Sequence, residues 1–133
     1  MYSNTHKIRV RYGETDKMGF VYYGVYAQYY EVGRVELLRS LGLSYKSLED
    51  IGYELPVIDF QIKYKKPAFY DDEIIVVTSL SDNPSAKLIF NYECFNAKKE
   101  LLNTGSVTLI FVNSKTKKVC SPPKIFSNKL NSL

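Results

Sequence analysis

Tyr23-Gly24-Val25-Tyr26-Ala-Gln28-Tyr29-Tyr30-Glu31-Val32-Gly33-Arg34-Val35-Glu-Leu37-Leu38-Arg-Ser-Leu41 is the stretch on which the fold turns. Tyr26, Tyr29, Tyr30, Gly33, Leu37 and Leu41 recur at three- and four-residue intervals, the spacing of one helix face. Val25, Val32, Val35 and Leu38 extend the apolar surface around most of the circumference. A helix apolar nearly all round is a buried one, so the pattern predicts a long helix over 23–41 as the central core element. Gly42 supplies a stop, and Ser44 a cap for a short helical turn reaching Ile51.

On both sides of this stretch the period falls to two. His6-Lys-Ile-Arg-Val-Arg-Tyr12 alternates polar with apolar residues, and Ile58, Phe60, Ile62 and Tyr64 alternate with Asp59, Gln61, Lys63 and Lys65. Further strands are expected over Glu73–Leu80, Lys87–Phe95 and Leu101–Val112. They are separated by Pro67 with Tyr70-Asp-Asp72, by Ser-Asp-Asn-Pro-Ser at 81–85, and by a tight turn at Asn96–Lys99. Short connections imply antiparallel neighbours. The expected architecture is α+β, a mostly antiparallel five-stranded sheet packed on one long central helix. With 133 residues and no internal repeat or linker, the chain is expected to form one domain spanning 1–133.

Composition narrows the chemistry. The charge of +4 is mild and fits an anionic small molecule as well as a nucleic acid; no nucleic-acid motif accompanies it, so none is expected as a partner. One histidine, His6, sits in the leading segment as a simple tail residue, so neither a Ser-His-Asp triad nor a multi-histidine metal site is expected of this chain. Cys94 and Cys120 stand far apart without a CxxC pair, so no zinc cluster or disulfide framework is expected, and Cys94 falls on the apolar register of its strand. No apolar run approaches the ~18 residues of a membrane span, and the first ten residues are too polar for a signal peptide. The expected compartment is the reducing cytoplasm. No GxSxG, P-loop, GxGxxG or HExxH pattern is present.

The chemistry-bearing run is Arg11-Tyr-Gly-Glu14-Thr-Asp16-Lys-Met-Gly19-Phe-Val-Tyr22-Tyr23-Gly24-Val25-Tyr26, followed by Tyr30-Glu31-Val-Gly-Arg34. Asp16 lies in a loop just before a helix whose first N–H groups lack intrahelical partners and carry partial positive charge. Such donors can hold an oxyanion, and a carboxylate beside them can attack a carbonyl or activate water. The same carboxylate can equally serve as a helix cap or turn former.

This run resembles the 4-hydroxybenzoyl-CoA thioesterase-like branch of the hotdog fold, which includes the acyl-CoA thioesterases encoded beside the Tol-Pal system. The match is residue by residue over 7–39, and the Lys-Pro-x-x-Tyr-Asp-Asp connection at 66–72 and Pro-Pro at 122–123 extend it. The resemblance implies a hotdog-fold acyl-CoA thioesterase releasing a free acid and coenzyme A. Asp16 would be the nucleophile or general base, and the Tyr23 and Gly24 amides would polarise the thioester carbonyl. Gly19 would let the backbone pass close to the substrate. Glu31 is the second candidate carboxylate, since another hotdog branch uses a helix carboxylate; its alternative role is an ion pair with Arg34. Lys63, Lys65 and Lys66, and less directly Lys115, Lys117 and Lys118, are candidate partners for the coenzyme A phosphates, or simply solvated faces. No metal or organic cofactor is implied. A homodimer joined edge to edge, or a homotetramer, is implied, with the site at the subunit boundary. The chain departs from its relatives in Tyr23, where many carry His, in Val25, where Asn is common, and in Glu14, where Asp is usual. Val25 keeps open a non-catalytic acyl-CoA or acyl-carrier-protein binding module. An acyl-carrier-protein thioesterase is the nearest competing enzyme.

Overall fold

A computed structural model describes residues 2–81 and 85–133. In chain order the elements are strand β1 (Tyr2–Arg9), a 3-10 turn at Tyr12–Glu14, helix α1 (Val25–Ser40), helix α2 (Tyr45–Asp50), strands β2 (Tyr53–Glu54), β3 (Val57–Tyr64), β4 (Glu73–Leu80), β5 (Lys87–Phe95), β6 (Leu101–Ile110) and β7 (Val112–Asn113), and helix α3 (Lys124–Asn131). Five strands form one antiparallel sheet in the order β1-β4-β5-β6-β3, and β2 pairs with β7 as a separate ribbon.

The α+β class and the antiparallel five-stranded sheet agree with the sequence pattern. The β4 and β5 boundaries agree to the residue, and burial alternates along both: Ile74, Val76, Thr78 and Leu80 of β4 and Leu88, Phe90, Tyr92 and Cys94 of β5 all point inward. α1 packs across β1 and β4. Gly33 permits the close approach, since a Cβ there would meet Thr78 Oγ1 and stand 3.0 Å from Val76 Cγ1. The Tyr30 ring lies flat on Tyr92, 4.0 Å between centroids and 2° between planes, and its hydroxyl donates to Asn103 Oδ1 at 2.6 Å. Gly105 makes room for that ring on β6.

Several expectations are corrected. α1 is shorter than 23–41 and is not sheathed all round: Tyr26, Tyr29, Tyr30, Gly33, Arg34, Leu37 and Leu38 are buried, while Gln28, Glu31 and Val32 are exposed. The sheet of one chain covers only one side of the helix. Nor is it the only helix. Ser44 caps α2 as expected, accepting the Ser47 N–H at 3.0 Å, and α3 was not expected at all; Phe126 docks it on Phe111, with 5.2 Å between ring centroids. β1 starts four residues earlier than His6 and ends at Arg9, because backbone pairing with β4 runs the full register Tyr2–Leu80 to Arg9–Glu73. His6 is therefore a half-buried strand residue opposite Val76, not a tail residue. The strand expected over 101–112 breaks after Ile110, where the chain leaves the sheet to pair with β2. The turn expected at 81–85 falls, at 82–84, outside the described residues.

Candidate active site

Residues 14–22 form a small antiparallel hairpin. Thr15 bridges to Val21, the Asp16 N–H donates to Phe20 O at 2.8 Å, and the Tyr22 N–H donates to Glu14 O at 2.9 Å. The hairpin tip requires Gly19, whose φ of +86° is left-handed, and the Gly19 N–H closes the turn on Asp16 O at 2.9 Å. An added Cβ on Gly19 would meet nothing within 4 Å, so this glycine answers a conformational need rather than a close approach. Asp16 shapes the same tip: its Oδ1 accepts the N–H of Met18 at 2.9 Å and of Phe20 at 3.3 Å. Its Oδ2 has no protein partner among the described residues. The turn-forming and catalytic readings of Asp16 are thus compatible, one oxygen serving each.

The hairpin is pinned on three sides. The Val21 N–H donates to Ala68 O at 2.9 Å, and the Phe20 and Phe69 rings meet edge to face at 5.4 Å. Glu14, only 9% exposed, accepts from the Arg11 N–H (2.8 Å), the Arg11 guanidinium (3.1 and 3.2 Å) and the Tyr29 hydroxyl (2.8 Å). Burial works against ionisation of Glu14, but these donors together outweigh it and hold its carboxyl below its ordinary value.

Past the hairpin the chain enters α1 through Tyr23 and Gly24. The Val25 N–H is already bonded to Tyr22 O at 2.9 Å, whereas the N–H groups of Tyr23 and Gly24 have no acceptor among the described residues. These are orphan donors at a helix start. The Tyr23 carbonyl is held by the Tyr64 hydroxyl of β3 at 2.9 Å. Tyr64 in turn meets Tyr26 edge to face at 5.8 Å. Burial pushes the hydroxyls of Tyr26 and Tyr64 above their ordinary range, so both stay protonated at neutral pH.

Asp16, Tyr23, Lys65 and Lys66 line one cavity of about 380 Å³, whose remaining wall is largely apolar: Met18, Phe20, Val21, Tyr26, Tyr64 and Pro67. The cavity brings together residues separated by some fifty positions in sequence. Gly24, the residue preceding α1, follows Tyr23 in the chain but does not itself line the cavity. Glu31 and Lys63 are exposed and do not line it. The Glu31–Arg34 pair is absent among the described residues: Arg34 is buried and its Nε donates to Tyr45 Oη at 2.7 Å. Lys66 is not a free cation either, being paired with Glu100, and Lys117 pairs with Glu54. Lys65 has no carboxylate partner among the described residues. Sequence reading missed Tyr64, Tyr26 and Pro67 as cavity walls; the apolar register that Tyr64 shares with Ile58, Phe60 and Ile62 was the one available signal. Among the described residues, no group of three or more His, Cys, Asp or Glu is arranged to hold a metal ion.

A carboxylate oxygen, two orphan amides and an aromatic cleft are the parts an acyl-transfer site needs. The chain belongs to the thioesterase-like superfamily, whose family model matches residues 10–130. Among its relatives, YneP of Bacillus subtilis (strain 168), provisionally named an acyl-CoA thioesterase, is 36% identical over 95% of this chain and 91% of its own length. The acyl-CoA thioester hydrolase YbgC of Escherichia coli O6:H1 is 31% identical over 88% of this chain and 87% of its own. A crystal structure of a DHNA-CoA thioesterase from Staphylococcus aureus superposes with a TM-score of 0.90 at 38% identity, covering 96% of this chain and 86% of that one.

Proposed function

We propose that this chain hydrolyses acyl-CoA thioesters to a free acid and coenzyme A, with Asp16 as the reacting carboxylate and the Tyr23 and Gly24 amides as the oxyanion donors. The observation that carries the reading is the cavity that holds Asp16 beside Tyr23, in a chain of a thioesterase family. The thioester carbonyl sits against the orphan amides, which gain strength as its oxygen becomes an oxyanion. Oδ2 of Asp16 takes a proton from water as the water oxygen bonds to the carbonyl carbon, or attacks that carbon itself to form an anhydride. The C–S bond then breaks and the coenzyme A thiolate leaves; in the second route water hydrolyses the anhydride. Lys65 at the cavity wall offers a charge to the coenzyme phosphates. The activity matches the finer branch that the sequence resembles, the 4-hydroxybenzoyl-CoA thioesterase-like hotdog enzymes, acting in the cytoplasm as one domain over 1–133.

A homodimer completes this picture. β3 ends the sheet with one unpaired edge, and Val57, Ile58, Phe60 and Tyr64 along it are 47%, 50%, 39% and 47% exposed. A long apolar edge strand invites pairing with a second copy. The uncovered Val32 side of α1 supports the same assembly, in which the sheets of two chains enclose the helices.

Thiol release from a panel of short, long and aromatic acyl-CoAs, and from the matching acyl-carrier-protein thioesters, tests the activity. Turnover of acyl-CoA supports the proposal. Binding of every substrate with no thiol released would overturn it in favour of a binding module, and turnover of the carrier-protein thioesters alone would reassign the substrate.

A further inference from the structure

Glu14 is a buried carboxylate that the proposed reaction leaves without a role, yet it stands at the joint between both halves of the site. Its main-chain oxygen holds the Tyr22 N–H at 2.9 Å, next in sequence to the Tyr23 amide. Two residues on along the same hairpin arm is Asp16, and the cross-strand bonds Thr15–Val21 and Asp16–Phe20 tie that arm to the one leading into α1. Its side chain reaches the other way, to the Tyr29 hydroxyl at 2.8 Å, on the buried face of α1. Tyr29 lies one turn beyond Val25, the first residue of the helix. The third anchor is the Arg11 N–H at 2.8 Å, at the end of the segment that follows β1.

We infer that Glu14 is a positioning residue: its carboxylate clamps the hairpin bearing Asp16 onto α1 and so fixes the carboxylate against the Tyr23 and Gly24 amides. The inference rests on the proposed thioesterase reading for its catalytic consequence. The hairpin touches α1 through few other bonds. The Tyr22 carbonyl accepts the Val25 N–H, but that bond lies within the connecting chain and sets no distance to the hairpin tip. Remove the Glu14–Tyr29 bond and the hairpin keeps its ties to Ala68, Phe69 and Arg11 but loses its side-chain hydrogen bond to α1, so its tip can shift by a fraction of its length relative to the helix while the sheet below is untouched. Such a shift alters how well the reacting groups are aligned, not how well the substrate binds, so the loss belongs to kcat.

Two substitutions reach the bond from opposite ends. Glu14→Gln keeps the side-chain length but offers one acceptor oxygen where the carboxylate offers two, and turns an amide NH2 towards donors. Tyr29→Phe keeps the buried ring and leaves Glu14 its Arg11 partners, so it tests the clamp even where Glu14→Gln fails to fold. In thiol-release kinetics each variant should lower kcat about 10- to 100-fold, the loss produced by roughly an ångström of misplacement, with KM changed by less than about twofold. The double variant should be no worse than the poorer single one, because both break one bond. Amide hydrogen exchange should quicken in peptides spanning 20–24 and stay unchanged in β4 and β5. Unchanged kcat in Tyr29→Phe, additive losses, or unaltered exchange at 20–24 would each overturn the inference. Should the wild-type chain release no thiol from any acyl-CoA, the thioesterase reading falls by itself; exchange at 20–24 then still decides whether Glu14 clamps the hairpin.

Discussion

Replacing Asp16 by Asn separates the two tasks assigned to one side chain. Oδ1 of the carboxylate holds the hairpin tip by accepting the Met18 and Phe20 N–H groups at 2.9 and 3.3 Å. The Asn carbonyl can accept both, so the turn survives. Exchanging charge-assisted for neutral bonds costs on the order of 1 kcal/mol at a half-exposed site, which for a domain of this size shifts Tm by about 3–5 °C. Oδ2, in contrast, becomes an NH2 group that can neither take a proton from water nor attack a carbonyl. General-base assistance contributes ~10²–10⁴-fold, so kcat should fall by that factor with KM nearly unchanged. Asp16→Ala removes the turn bonds as well and should lose about 1–2 kcal/mol more stability. The assay is thiol release at saturating acyl-CoA beside thermal unfolding for wild type, Asn and Ala. Rate loss in Asn without matching loss of Tm is the expected signature. An Asn variant within about threefold of wild type would refute the catalytic role and leave Asp16 as a turn former; Glu31→Gln would then be the next variant to assay. Single-turnover hydrolysis in 18O-labelled water distinguishes the routes, since only an anhydride intermediate leaves the label first on Asp16.

Three further outcomes follow from the geometry. Gly105→Ala places a methyl 2.5 Å from Gln61 O and 2.6 and 2.7 Å from Tyr30 Cε2 and Oη; Tyr30 is trapped against Tyr92, so the variant should lose about 1–3 kcal/mol in urea unfolding, and unchanged stability would show that β3 yields freely. Because Glu14 ionises more readily folded than unfolded, its contribution is fully present above its ordinary value of 4.5 and is lost as pH falls through its lower folded value; Tm should drop more steeply in wild type than in Glu14→Gln between about pH 5 and pH 3, and parallel curves would contradict the hydrogen-bond account. Lys65→Ala should raise KM for acyl-CoA about 3- to 10-fold at low ionic strength and much less in 0.5 M salt, given a Debye length of ~10 Å at 0.1 M; a KM that is salt-independent and unchanged would remove Lys65 from coenzyme binding.

What was legible in the sequence was whatever a local pattern carries. Leu88, Phe90, Tyr92 and Cys94 announce β5 by alternation, whereas β4, with Ile74-Ile-Val-Val77 unbroken, was legible from its β-branched run and the turn residues flanking it. The existence of α1 shortly after Asp16 was legible from the change of period near Tyr23, though the helix begins two residues later, at Val25. What was not legible depends on partners distant in the chain. α3 owes its place to Phe126 meeting Phe111, β1 gains its first residues from β4, and Lys66 is neutralised by Glu100, 34 positions away. No local pattern carries those distances. The same gap explains Arg34: its spacing from Glu31 suits a helical ion pair, but the buried face of α1 turns it to Tyr45 instead.

α1 is the instructive discrepancy. Its apolar residues run nearly all round, the composition of a buried helix, yet Val32 is 36% exposed and the side bearing Gln28 and Glu31 is open. β3 shows the same mismatch, with Ile58 and Phe60 alternating like core residues while half their surface meets solvent. Two independent elements thus carry interior composition in exterior positions; where they meet, Phe60 against Tyr30 at 5.7 Å between ring centroids, the contact is on the buried face of α1. Periodicity records the environment in which a residue was selected, which for an oligomer is the assembly and not the single chain. The helix reading stays corrected for the single chain; the proposed dimer would supply the second cover that the composition of α1 suggests. The cavity holding Asp16 runs along Tyr64, the last residue of that same exposed strand. Closing the β3 edge would therefore also wall the cleft, shedding water from around the thioester and strengthening the pull of the Tyr23 and Gly24 amides on the developing oxyanion.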